Sequence, residues 1–525
     1  MGKAIKKKLT KLLPFLVLIL ISFLLYSYRL DFTPVHLNQD EMEFSLNAYS
    51  ISKTLQDQDG RFLPFYFWHL SSFWATPVIV YLTSIFLKFL SLSESYIRLP
   101  SVFVGVSSIA LIMILVQKIF RNKNLSLLSG FLALITPVLF IHSRLLLDNL
   151  YTVPFTLLWL VFLKDFLDKK KLFPLFVSGL SLGIGIHSYH AAKIMMPIYF
   201  LATTAFIWPD VQNRLKNFGV YLLGFLIPIL LFIPWLKAYP DTLLNQVTYI
   251  GSIDSSVQVQ KGLLGVFNSK RIKSFLSSYP KYLSPEILFF TGDRSLIHST
   301  RKTGAFLFPV VFLLAFGILA VLFINKDKFA RLILFGLLTY PIAPALVNDP
   351  QRISRGLVAI PFVILLCTYG FRYLFSIKEK LFRVLLIFIF VFSWFHFVFF
   401  IQDYFGNYRK ESYAWFNNDI GGALESAIKS TRIRKVDRVY LERNIYFIER
   451  YAKFYSIKFA SDLESRAKYF DPASEDFSSF PIYSLVVLRA ENAPGRADKI
   501  RMFEKIETIR EPNGYESFYI FYRDK

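Results

Sequence analysis

The chain has 525 residues, 54% of them hydrophobic and 18% aromatic, and a formal net charge of +23. Its apolar residues come in repeated blocks long enough to cross a bilayer, which excludes a soluble globular protein and predicts a polytopic α-helical membrane protein. The basic charge does not indicate nucleic acid, because no aromatic-interleaved basic groove lies in a soluble segment, and the single cysteine, Cys367, excludes an internal disulfide.

The first block, LLPFLVLILISFLLYSY (12–28), follows the basic KAIKKKLTK and has no A-x-A-like cleavage site. It reads as an uncleaved signal anchor with a cytoplasmic N-terminus. Further blocks cover approximately residues 98–117, 124–141, 147–163, 172–186, 194–208, 217–236, 304–325, 332–347, 356–371 and 384–401. WATPVIVYLTSIFLKFL (74–90) is ambiguous, because Thr76, Thr83, Ser84 and Lys88 fall roughly along one helical side, as in a helix lying in the interface. Loop charge decides its placement. If it does not span, the groups around Lys118, Lys164, Arg214, Lys326 and Arg372 all fall inside with the N-terminus; if it spans, all of them move outside. The sequence therefore predicts about eleven spanning helices with external juxtamembrane helices. The membrane domain covers 1–402, with external loops at 29–97 and 237–303. After Gln402 the long apolar blocks stop. Period-2 segments (RVYLER, IYSLVVL, ESFYIFYR) alternate with helical ones (ALESAIKS, IYFIERYAKFYSI), predicting a small extracytoplasmic α/β domain over 403–525.

This topology gathers the residues that could carry chemistry on the external face. Asp40 and Glu41, in HLNQDEMEF, open a helical segment; with Glu43 three residues on, Asp40 also reads as an ordinary N-cap. Asp148 follows Arg144 by four residues, a spacing that also suits a weak interfacial ion pair. His190 and Lys193 precede an apolar helix, where a lysine can simply snorkel to the surface. The loop SPEILFFTGDRSLIHSTRKTG holds Asp293, Arg294 and His298, and NDPQRISRG holds Arg352 and Arg355 outside, against the positive-inside bias. Together these groups suit a lipid-linked phosphate. Cations would hold the phosphate, and a carboxylate would take the proton of the attacking hydroxyl. A neutralised phosphate leaves without a protonating acid, so one base suffices for an inverting displacement.

The ordered stretches LNQDEMEFSLNAYSI, GRFLPFYFW, SESYIRLPSVFVG, HSRLLLDNLYTVPF, HSYHAAKIMMP, LSPEILFFTGD and RISRGLVAIPF resemble the GT-C glycosyltransferases of the protein O-mannosyltransferase and lipid A aminoarabinose transferase type, glycosyltransferase family 39-like. The resemblance covers most of 1–402, and the tail resembles only the extracytoplasmic domains that many members carry. It implies an inverting hexosyl- or pentosyltransferase using a polyprenyl-phosphate sugar donor and a lipid, glycan or protein acceptor. By resemblance Asp40 is the catalytic base, Glu41 supports it or touches the acceptor, and Asp148 is the second acidic position. Arg144, Lys193 and Arg355 match the cations that bind donor phosphate, with His190, His298 and Arg352 as further substrate contacts. Some members bind a divalent metal and others need none; His69, His190 and His298 are scattered singly, so no metal ligand and no required cofactor is assigned. Membrane lipids are expected partners, and the expected location is the bacterial plasma membrane with the active site and C-terminus outside. The rival reading is a transporter or lipid flippase, which would place ionisable residues or broken helices near the midplane of repeated halves; here the charges cluster at helix ends.

Overall fold

The computed structural model describes residues 2–207, 213–242, 269–325, 327–347, 352–493 and 502–524. The middle of the expected loop 237–303, the residues 348–351 of the NDPQRISRG turn, and Lys326 lie outside the described residues. Two compact units result. One comprises Met1–Tyr28, Leu63–Leu82 and Arg98–Gln402; the other comprises Arg29–Phe62, Thr83–Ile97 and Asp403–Lys525.

The first unit is helical. Among the described residues, five helical stretches are long and apolar enough to cross a membrane: Glu94–Phe120, Asp148–Lys169, Arg214–Ala238, Ala359–Ser376 and Lys380–Phe405. Leu12–Ser27, Leu172–Gly185 and Val310–Ile324 are shorter apolar helices. Several blocks that look continuous in sequence are broken by proline. Block 124–141 becomes helices Lys123–Leu134 and Pro137–His142, with Pro137 starting the second. Block 332–347 becomes Lys328–Thr339 and Ile342–Ala345, divided at Pro341. A proline ring clashes with the preceding turn and lacks the N–H that would continue the ladder. The ambiguous block contains helix Pro77–Leu87, of 11 residues. At 1.5 Å per residue it is about 17 Å long, well short of the ~30 Å hydrocarbon thickness.

Phe388, Phe392, Phe395 and Phe399 along Lys380–Phe405 are exposed. Such a surface suits lipid, which does not penalise apolar side chains. Elsewhere helices touch closely through small residues. A Cβ on Gly224 would meet the Phe176 carbonyl, and one on Gly179 would meet the Tyr221 carbonyl, so Leu172–Gly185 and Arg214–Leu230 interlock backbone to backbone. Strands β1 (Phe67–His69) and β2 (Phe73–Ala75) form a short antiparallel ribbon before Pro77.

The second unit is an α/β fold. Strands β3 (Arg438–Glu442), β4 (Ala467–Phe470), β5 (Ser484–Arg489), β6 (Glu504–Arg510) and β7 (Glu516–Arg523) form one sheet in the order β4-β3-β5-β7-β6. β3 is parallel to β4 and β5, while β7 is antiparallel to β5 and β6. SLVVL in β5 is buried on both faces, as a central strand requires. The expected tail helices are Ile420–Ile433 and Ile448–Lys458. The second of these packs against Gln39–Thr54, so the acidic segment of the first loop shares a compact unit with the tail.

Candidate active site

In the second unit the expected capping arrangement is corrected. The N-cap of helix Gln39–Thr54 is Asn38, not Asp40. Asn38 Oδ1 accepts from the Asp40 N–H at 2.9 Å, and Glu41 Oε2 accepts from the Asn38 N–H at 3.2 Å, completing a capping box. Asp40 therefore stands in the first turn, half-buried, one of the residues that the cap holds; its charge is favourable there because the N–H dipoles of the helix start point toward it. Glu41 is fully buried and holds the cap. Glu43, the partner expected for an Asp40 cap, instead accepts from Gln58 Nε2 at 3.1 Å and faces Arg450 at 3.7 Å.

The first unit collects most of the other expected residues around Tyr189. Asp148 opens a 3-10 turn, Asp148–Tyr151, and accepts from Thr76 Oγ1 at 2.9 Å; the same hydroxyl lies 3.3 Å from the Ser188 carbonyl. Lys193 is within reach of the Asp148 charge, and its ammonium stands 4.9 Å from the Tyr66 ring centroid. Tyr66 Oη lies 3.0 Å from His187 Nδ1. Tyr189 lies in the fields of Arg355, Asp148, Asp293 and Arg352, and burial pushes its hydroxyl pKa up despite the two guanidinium groups. Asp293 accepts from the N–H of Ser295 at 2.8 Å and of Ser354 at 3.1 Å, tying its loop to the turn that bears Arg352 and Arg355. Burial raises the Asp293 carboxyl pKa, against these bonds and the nearby His142 and Arg352.

His298 lies beside this group. Its Nδ1 is 3.1 Å from His142 Nε2, and His142 Nδ1 is 2.7 Å from the Val138 carbonyl. A carbonyl can only accept, so His142 donates from Nδ1, its Nε2 accepts, and His298 donates from Nδ1. His190 packs edge-on against Phe73 at 5.4 Å. Arg144 has a different setting: it is fully buried, donates from Nη1 to the Tyr26 carbonyl at 2.7 Å and lies over the Phe140 ring. Among the described residues no three His, Cys, Asp or Glu side chains come together as metal ligands.

Asp148, Lys193, Arg352 and Arg355 are thus brought together in one unit, and Asp40 and Glu41 are adjacent in the other. Asp293 was named with its loop but given no role, and Tyr189 was not singled out. Their signals were present in HSYHAAK and TGDRS, but neither a lone tyrosine nor a turn aspartate stands out without its neighbours.

Residues 75–237, under a third of the chain, match the family model for dolichyl-phosphate-mannose-protein mannosyltransferase. The fold is similar to that of ArnT from Cupriavidus metallidurans bound to undecaprenyl phosphate, with a TM-score of 0.59 at 10% identity over 96% of this chain and 97% of that one. The chain has the GT-C glycosyltransferase fold. Apo ArnT gives a TM-score of 0.54 at 10% identity, covering 99% and 98% of the two chains. The Archaeoglobus fulgidus oligosaccharyltransferase tethered to an acceptor peptide with an NVT sequon gives 0.52 at 13%, covering 98% and 74%. No curated protein sequence matches. At these identities the solved structures carry the GT-C fold, while the family match carries the reaction class: the chain is an integral membrane glycosyltransferase.

Proposed function

We propose that this GT-C protein is an inverting enzyme that moves a sugar from a polyprenyl-phosphate donor to an acceptor hydroxyl or amine outside the cytoplasm. The observation that carries this reading is the meeting of Lys193, Arg352 and Arg355 with Asp148 and Asp293 around Tyr189, a set suited to hold a phosphate and orient what is attached to it. The family match names a dolichyl-phosphate sugar donor, and the similar ArnT structure holds undecaprenyl phosphate, which supports the same donor class.

Asp40 takes the proton of the acceptor as its heteroatom forms a bond to the anomeric carbon. The bond from that carbon to the phosphate oxygen breaks with its electron pair going to the phosphate, whose charge Lys193 and Arg355 neutralise. Asp148 keeps Lys193 directed at the phosphate, Glu41 supports the base through the cap, and Arg352, His190 and His298 contact substrate. Arg144 holds the turn that leads to Asp148. About eleven helices span, with the N-terminus in the cytoplasm and the site and tail outside a bacterial plasma membrane; the shortness of Pro77–Leu87 supports this topology. The acceptor is a lipid, a glycan or a protein.

The test is incubation of purified protein with a panel of polyprenyl-phosphate sugars and candidate acceptors. Release of polyprenyl phosphate with one sugar is the expected result; no release from any donor rules the reading out.

A further inference from the structure

The acidic pair is built into the second unit by residues more than 350 positions further along the chain. Tyr451, in helix Ile448–Lys458, is buried and donates its hydroxyl to the Leu37 carbonyl at 2.9 Å. Leu37 immediately precedes the Asn38 cap whose side chain binds the Asp40 N–H. Asn417 donates to Gln39 Oε1 at 2.7 Å and reaches the Tyr451 oxygen at 3.4 Å. Its backbone lies in the left-handed region, φ 63°, which asparagine tolerates better than most residues. Arg450, next to Tyr451 in the helix, donates to Gln58 Oε1 at 2.9 Å and faces the buried Glu43. The Asp40 and Glu41 charges both reach the Tyr451 hydroxyl. Every contact is within the second unit, and those of Tyr451 and Asn417 are made to Leu37 and Gln39, on either side of the Asn38 cap.

We infer that the tail domain is the mount of the catalytic base, and that Tyr451 is a positioning residue for Asp40, acting through the Leu37 carbonyl and the Asn38 cap. The positioning role rests on the function proposed above; the mount itself does not. The physical reason is that a general base must lie within hydrogen-bond reach of the proton it takes, so a misplacement of about 1 Å can cost as much as 100-fold in rate. A loop in water would not hold that tolerance; a buried tyrosine bonded to the residue before the cap does.

Two variants separate positioning from general stability. Tyr451→Phe keeps the ring and removes the bond to Leu37. Tyr522→Phe removes a comparable bond in the same domain, from its hydroxyl to the Lys435 carbonyl at 2.9 Å, away from the acidic pair. Hydrogen exchange is followed in peptides covering residues 37–48 of the full-length protein in detergent, with transfer kinetics measured in parallel. The expected result for Tyr451→Phe is faster exchange in those peptides and a turnover lower by roughly 10- to 100-fold with donor KM unchanged; Tyr522→Phe changes neither. Unchanged exchange in Tyr451→Phe overturns the mount. Faster exchange with normal turnover, or an equal loss of turnover in Tyr522→Phe, overturns the positioning role. If wild-type protein transfers no sugar at all, the proposed function fails, while the exchange result still decides the mount.

Discussion

At the scale of single residues, Asp40 is the most informative position. The cap belongs to Asn38 and the reciprocal bond to Glu41, so the ordinary structural duty of an acid at a helix start is already discharged by its neighbours. Asp40→Asn should therefore leave the thermal midpoint nearly unchanged, apart from the small loss of a favourable charge in the first turn. Turnover should fall about 100- to 10,000-fold, because an amide cannot accept the acceptor's proton. Near-normal turnover would move the base to Asp148. Lys193 and Arg144 should also part company. Lys193→Ala removes a charge-assisted contact to donor phosphate, worth roughly 1.5 to 3 kcal/mol, and should weaken donor binding about 10- to 150-fold with little change in folding. Arg144→Ala leaves the Tyr26 carbonyl without this partner and a void beside Phe140, so its main effect should be a fall in melting temperature. Equal losses of donor affinity in the two variants would return Arg144 to the phosphate site.

At the scale of elements, close helix contact and one buried, hydrogen-bonded carboxylate carry the clearest predictions. Gly224→Leu drives a side chain into the Phe176 carbonyl, and since backbone cannot swing aside, a cost at or above the usual 1 to 3 kcal/mol of overpacking is expected, read as a lower detergent melting temperature. Gly219, with open space around its Cβ position, is the matching control. In the tail, Glu511 lies 2.6 Å from His36 Nε2 and accepts from the Asp419 N–H at 2.9 Å. Burial would raise its pKa, but the His36 bond and charge, the Ser517 hydroxyl and the Asp419 N–H together hold it below the ordinary 4.5. A carboxylate lowered on folding contributes stability that is complete above its unfolded pKa and is lost as pH falls through the folded one. The domain should therefore weaken on acidification below about pH 4.5, and Glu511→Gln should be less stable at neutral pH with a shallower acid limb. An unchanged acid limb would mean that Glu511 is not part of it.

At the scale of the whole molecule, the composition of the second unit sets the prediction. Residues 29–62 and 83–97 share that unit with everything after 402, and the contacts of Tyr451, Asn417 and Arg450 show how. A chain ended after Gln402 should insert in the membrane and retain its apolar helices, yet show no transfer, because the segment bearing Asp40 has lost its support. Full activity in that chain would make the tail dispensable. For topology, a reporter fused after Lys525 should read as extracytoplasmic; a cytoplasmic reading would require the 74–90 block to span.

The sequence by itself determined the membrane class, the apolar helices and the alternating tail segments, because local periodicity records directly whether a side chain meets lipid, core or water. RVYLER, IYSLVVL and ESFYIFYR became β3, β5 and β7 for that reason. β4 and β6 were not legible: AKYF is too short and EKIETIR too charged to show a buried face, and both are edge strands of the sheet. The sequence was read as a helix start at Asp40 with Glu43, whereas the cap is Asn38 with Glu41. Around that cap Tyr451 and Asn417 bond the chain at Leu37 and Gln39, while Glu43 is taken by Gln58 and Arg450, contacts that the local sequence does not record. The grouping of Asp148, Asp293, Lys193, Arg352 and Arg355 about Tyr189 was likewise decided by folding. Contacts between residues far apart in the chain leave no periodic trace along it, so the residue types of the site could be read from the sequence, but their partners could not.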